Sequence, residues 1–388
     1  MPGTGSKRWS IGLAAGLIVL GLVLAAVCWP SKPRTIEPIA SKAPPPIPGW
    51  AVIKVPPVPA DLASLAQTGR EVYQRECAVC HGDRGDGKGA AAALLAHRPR
   101  DFTRGNFKFR TSAYGQVPFD DDLYRTLTRG IPAAGMPSYS DLPEADRWAL
   151  VAHVKTLARR EFDDGEVVDY FEIRAATQRI SYDVAERKMT NDAVRRGREL
   201  FRDERAGCIL CHGPEGRGDG LSSNDLKDDG DLPIRPAILP RGEGVFKTGS
   251  RPEDIFRILT NGMCGTPMPS FRGNLTEDER WALVCFVTSL FQPIPAGELA
   301  FLGGGCMGCH TIGGGKRIGP DLAGVTARRD ETWLRKWFAA QRPVAADAPL
   351  PAPSADGTPT PPPRCGLQEG QMDLVLGYLR DAGVATEK

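Results

Sequence analysis

Apolar positions recur at helical spacing in two stretches that copy each other almost residue for residue. In MPSYSDLPEADRWALVAHVKTL (136–157), Leu150, Val151, Val154 and Leu157 fall on one helical face. MPSFRGNLTEDERWALVCFVTSL (268–290) repeats the pattern, with Trp281 in the place of Trp148 and Phe286 in that of His153. Thr276 followed by Glu279 predicts a capping box at the start of the second helix. A looser third copy, LQEGQMDLVLGYLRDAG, runs over 367–383. Each closing stretch is preceded, well upstream, by a segment that opens on glycine: GREVYQRE from Gly69, GRELFRDE from Gly197 and GELAFLGG from Gly297. The repetition predicts three successive units, each an opening helix, a long glycine-rich loop and a closing helix. With 44 glycines and 34 prolines, much loop and little sheet are expected.

The longest apolar run is IGLAAGLIVLGLVLAAVCW, residues 11–29, which carries no charge and follows Lys7 and Arg8. As a helix it would rise roughly 28 Å, enough to cross the ~30 Å hydrocarbon core of a bilayer. A cleaved signal peptide, or a lipoprotein signal ending at Cys28, is the alternative. No A-x-A site is evident, and Val27 is large for the position before a lipidated cysteine, so an uncleaved anchor is expected. Either way the rest of the chain is exported. Ten prolines over residues 30–60 predict a semi-rigid spacer rather than a core. The expected organisation is an anchor over 1–30, a proline-rich linker over 31–61, and units over 62–160, 191–294 and 295–388. A charged linker over 161–190, partly helical, separates the first two units, and a second proline-rich run, 343–363, interrupts the third. Basic and acidic side chains nearly balance, 49 against 47, which gives no reason to expect nucleic acid as a partner.

Cysteine changes the picture. Six of the ten cysteines form three C-x-x-C-H motifs: CAVCH at 77–81, CILCH at 208–212 and CMGCH at 306–310. A structural zinc site would need four ligands, and units one and two offer no second pair to complete it. A thioredoxin-like redox pair would need a βαβ context that the helical pattern denies. Covalent haem uses every residue of the motif. Cys77 and Cys80, Cys208 and Cys211, and Cys306 and Cys309 would form thioethers, while His81, His212 and His310 would bind iron. Met136 lies 59 residues after Cys77 and Met268 lies 60 after Cys208, each in M-P-S-[YF] before a closing helix. They are the expected ligands on the far face of the iron. Met263 is a rival, but aligning Gly130 with Gly262 sets Met268 opposite Met136.

On these motifs, most of residues 62–385 resembles the class I c-type cytochromes, repeated three times. The resemblance implies an all-α fold of three tandem cytochrome c-like domains behind the N-terminal transmembrane helix. It implies that opening and closing helices cross at a glycine and an aromatic: Gly69 with Tyr73, Gly197 with Phe201, Gly297 with Phe301. It also implies that a proline carbonyl accepts the proximal histidine's proton, for which Pro320 matches well and Pro99 and Pro236 less closely. Unit three departs from the pattern. The offset that gives Met136 and Met268 falls on Pro361 or Thr360, so its sixth ligand is open, with Cys365 and Met372 as candidates. Met372 aligns with Arg147 and Arg280, on a surface or core-side position. Cys264 and Cys285 are either a disulfide or two buried thiols.

The reading is an electron carrier without catalytic residues: three covalently bound haem c groups on the extracytoplasmic side of the cytoplasmic membrane. It would relay electrons between redox proteins, such as a quinol-oxidising complex and a terminal oxidase or reductase. The alternative is a haem enzyme, peroxidase-like or sulfur-oxidising, using an open third haem. The proline-rich run 343–363 lacks the histidine or glutamate that such a site would use.

Overall fold

The computed structural model describes residues 48–176, 178–181, 184–242, 245–315, 319–339, 367 and 370–385. The expected anchor, Cys365 and the proline-rich run 343–363 lie outside them. No helix among the described residues is long and apolar enough to cross a membrane.

Each unit is built on a crossed pair of helices. Ala66–Glu76 crosses Glu144–Leu157, Asn191–Arg202 crosses Glu277–Ser289, and Ala296–Gly303 crosses Gln371–Ala385. Glycine makes each crossing possible. A Cβ on Gly69 would stand 1.9 Å from the Ala149 carbonyl oxygen. On Gly197 it would stand 2.0 Å from that of Ala282, and on Gly297 2.5 Å from that of Leu374. One turn further along, aromatic rings close the contact. Tyr73 meets His153 edge-on at 5.0 Å, Phe201 meets Phe286 at 5.2 Å, and Phe301 meets Tyr378 at 5.5 Å. His153 is therefore a buried member of an aromatic pair, in the place of Phe286. The register also sets Met372 level with Arg147 and Arg280, partly buried beside the core of unit three. Thr276 and Glu279 form the expected capping box, Glu279 N–H donating to Thr276 Oγ1 and Thr276 N–H to Glu279 Oε2.

A middle helix that periodicity did not reveal joins each pair: Asp120–Arg129, Pro252–Asn261 and Glu331–Ala339. The first two match position by position. Asp122 of the first accepts from the N–H groups of Thr111 and Phe119, and so closes the loop before the helix onto its first turn. The stretch between units one and two is partly helical, as expected. Strand β1 (Arg159–Glu161) pairs antiparallel with β2 (Val167–Asp169), and among the described residues Tyr170–Ile173 forms a short helix.

The end of the proline-rich linker is not a bare spacer. Trp50 is 1% exposed, donates its indole N–H to Thr126 Oγ1 at 3.0 Å, and lies 4.1 Å beneath the Arg257 guanidinium. Ala51 N–H donates to Asp254 Oδ1, and Arg129 Nε donates to the Pro48 carbonyl. The strap thus wedges an aromatic between the middle helices of units one and two. The same junction buries Arg110, which donates to the Asn261 carbonyl at 2.8 Å, while Asn261 Nδ2 donates back to Arg110 O and Ser112 O. Cys264 and Cys285 are separate buried thiols, on a loop and on the closing helix.

Candidate haem-binding sites

In each unit the opening helix is followed closely by the helical turn of the C-x-x-C-H motif: Ala78–His81 almost at once, Cys208–His212 after a short turn and Cys306–Cys309 after two glycines. The helical turn brings both cysteines and the histidine of a motif onto one short stretch beside the crossed pair. Cys77 belongs to the core of unit one, Cys208 packs on that of unit two, and Cys306 on that of unit three.

The histidines are held alike. His310 Nδ1 donates to the Pro320 carbonyl at 2.8 Å, as the resemblance implied. In units one and two the acceptor is one residue beyond the expected proline. His81 Nδ1 donates to Arg100 O at 3.0 Å, and His212 Nδ1 to Ala237 O at 3.1 Å. Pro99 and Pro236 shape the approach of that chain without supplying the carbonyl. A carbonyl can only accept, so Nδ1 keeps the proton and Nε2 keeps a lone pair for a metal. Burial lowers the pKa of all three histidines, that of His81 to about 4, which keeps the rings neutral. Phe102 stacks on His81 at 4.6 Å and fixes its plane.

Met136 and Met268 are placed by one device used twice. Ile131 N–H donates to Met136 O at 2.8 Å, and Met263 N–H to Met268 O at 3.0 Å. Met263 therefore stands where unit one has Ile131, at the base of the loop. Ser138 Oγ donates to Thr128 O at 2.7 Å and Ser270 Oγ to Thr260 O at 2.6 Å, which ties each M-P-S segment to the end of its middle helix. Both methionines pack against the core of their unit. In unit three the segment that would carry such a loop falls outside the described residues, and Met372 sits on the closing helix.

Two further features were not anticipated. Arg100, Lys108 and Lys247 lie within electrostatic reach of one another where units one and two meet, and Arg100 pairs with Asp229 at 3.3 Å. Burial, then Arg100 and Lys247, hold the Lys108 ammonium down at about 7; burial and Arg100 hold Lys247 at about 8. The repeated Phe-Lys at 107–108 and 246–247 was the sequence signal for this pair. In unit three Trp337 lies 6.3 Å from His310, and its buried indole N–H has no hydrogen-bond partner among the described residues. Partly desolvated cations around Arg100, whose carbonyl holds His81, and a buried indole donor beside His310 suit the carboxylates and rim of haem. The paired cysteines and a neutral imidazole with a free Nε2 suit its attachment, so the residues present fit the group.

These sites define a c-type cytochrome. The cytochrome c oxidase, cbb3-type, subunit III family matches residues 64–154 and 192–287, and the cytochrome c family matches residues 294–383. The chain belongs to the c-type cytochromes, a multihaem member whose tandem domains carry covalent haem c and transfer electrons. Among solved structures, it is similar to a chain of the "reducing HAO-like protein complex Kustc0457/Kustc0458" of Kuenenia stuttgartiensis. The two are 35% identical, with a TM-score of 0.54, over 62% of this chain and all of that one. No curated protein matches.

Proposed function

We propose that the chain is a membrane-tethered triheme cytochrome c that relays electrons between protein redox partners outside the cytoplasmic membrane. The observation that carries this reading is the threefold recurrence of one arrangement: a C-x-x-C-H turn whose histidine gives its Nδ1 proton to a backbone carbonyl. Haem supplies one-electron chemistry there. The protein orients each imidazole, keeps it neutral and sets an aromatic ring near it: Phe102, Phe201 and Trp337. In units one and two, Met136 and Met268 would hold the iron opposite the histidine, and a thioether there would favour the ferrous state and so raise the potential. The apolar segment 11–29 is the tether. That the similar solved chain belongs to a protein complex supports protein partners, for which a quinol-oxidising complex and a terminal oxidase or reductase are the candidates.

A second reading has one observation in its favour. That complex is named for its likeness to HAO, and unit three lacks a methionine at the expected offset. An exchangeable position on the third iron would allow a haem enzyme.

Denatured full-length protein should retain three covalent haems per chain, and the native chain should stay with membranes through a high-salt wash. Carbon monoxide separates the two readings. If none of the three reduced haems binds it, no open iron exists and the enzyme reading fails. Two haems per chain, or a native protein that washes off, refutes the triheme tether.

A further inference from the structure

Two glycines that break the repeat meet each other. Gly308 lies between the haem cysteines of unit three, where unit one has Val79 and unit two has Leu210. Gly135 precedes Met136, where unit two has Pro267 before Met268. A Cβ on Gly308 would stand 2.5 Å from the Gly135 Cα, and a Cβ on Gly135 would stand 2.6 Å from the Gly308 Cα. The backbones are therefore in direct contact, and no side chain fits between them.

The three atoms nearest to such a Cβ on Gly308 all belong to Gly135 of unit one. The φ of Gly308 is not positive, so an alanine there would be conformationally free and intrinsically better in a helical turn. Val79 and Leu210 show that the slot tolerates a large side chain within a C-x-x-C-H turn of this chain. Only the approach of unit one excludes one. The same approach is made by neighbouring residues. The turn Pro132–Ala134 of unit one packs on both Cys306–Cys309 and the opening helix Ala296–Gly303. The sulfurs of Cys80 and Cys309, each a haem cysteine of its own unit, lie within electrostatic reach of each other.

We infer that the haem-attachment turn of unit three is docked at the mouth of unit one's haem site, between Cys80 and the Met136 loop, and that electrons pass directly between units one and three. The inference rests on the triheme reading above. The relay then need not follow the order of the sequence: unit one, which also shares its strap with unit two, has its own direct junction with unit three. The step is the transfer of one electron from a reduced haem in one unit to an oxidised haem in the other. No bond is made or broken and no proton moves. External reductant and oxidant are the redox partner proteins.

The test uses full-length holoprotein and the Gly308→Leu variant, which installs the residue that unit two already carries at that slot. Gly377→Ala, on the closing helix with nothing within 4 Å of the added methyl, is the control. Electron paramagnetic resonance of the oxidised proteins should show magnetic coupling between the haems of units one and three in the wild type and the control. Gly308→Leu should lose that coupling while keeping three covalent haems and the spectrum of unit two. Should it fail to hold the third haem, Gly308→Ala adds a single methyl and should show a partial loss. Coupling that survives in a fully loaded Gly308→Leu, or a wild type with three haems and no such coupling, overturns the junction. A wild type with fewer than three haems is a different failure, because it removes the triheme reading on which the junction rests.

Discussion

At the scale of single residues, the two methionine loops are one solution written twice. Ser138 and Ser270 each reach back ten residues to a helix-end carbonyl, and the methionine two positions earlier is carried to the same place in both units. Met263 stands at the foot of its loop, where unit one has Ile131, with its N–H engaged by the Met268 carbonyl. Ligand identity should follow this geometry. Met136→Ala and Met268→Ala should each remove part of the methionine-to-iron charge-transfer absorption at the red end of the spectrum and lower the potential of one haem. Met263→Ala should do neither. A spectral loss in Met263→Ala without one in Met268→Ala would reverse the assignment. Much of this was legible beforehand, because C-x-x-C-H and M-P-S-[YF] recur at matched spacing. The proximal carbonyls of units one and two were off by one residue. Which of two adjacent carbonyls turns toward an imidazole depends on the tertiary path of the loop, and local sequence does not encode that.

Among the elements, the crossed helices announced themselves through periodicity, glycine and the Thr276–Glu279 box. The middle helices did not, since a ten-residue segment such as DDDLYRTLTR is too short and polar for a clear apolar stripe; its run of acids in the first turn was the available sign. The loop around His310 shows how an element can hang on one carboxylate. Asp321 accepts from the N–H groups of Gly313 at 2.8 Å, Gly315 at 2.7 Å and Ala323 at 2.9 Å, next to the Pro320 carbonyl that holds His310. Those donors, Ala323 foremost, pull its pKa down to about 2. The folded carboxylate thus binds its proton less readily than the unfolded one, whose pKa is about 3.9. Its contribution is complete above about pH 4 and disappears as the pH falls toward 2. Asp321→Ala should lower the stability of unit three at neutral pH and flatten its loss of stability between pH 4 and 2, as followed by circular dichroism. If wild type and variant lose structure along the same acid profile, Asp321 does not hold the loop.

For the whole molecule, the decisive fact is that an aromatic of the linker, Trp50, is buried between two units. Composition alone made residues 30–60 a spacer, and ten prolines do argue against a core. Trp50 nevertheless fills the junction of units one and two, under Arg257 and bonded to Thr126, because a single large ring can bury itself in a groove that other elements build. No local pattern encodes such a contact, since the groove exists only after two repeats have folded. The consequence is a division of labour within the leader. Under the proposed function the residues before Pro48 are the tether, while the strap from Pro48 to Ala51 joins two haem units. Two truncations fused to a cleavable export signal should separate these roles. A chain starting at Pro48 should be a soluble, fully loaded holoprotein that unfolds like the parent. A chain starting at Leu62, which loses Trp50 and the Ala51–Asp254 bond, should keep its haems but unfold at lower temperature. Trp50→Ala in the full-length chain should reproduce most of that loss, about 3–5 kcal/mol for emptying a buried tryptophan site. Both truncations unfolding together with the parent would mean that the strap adds nothing and that contacts such as Arg110–Asn261 and Arg100–Asp229 hold units one and two without it.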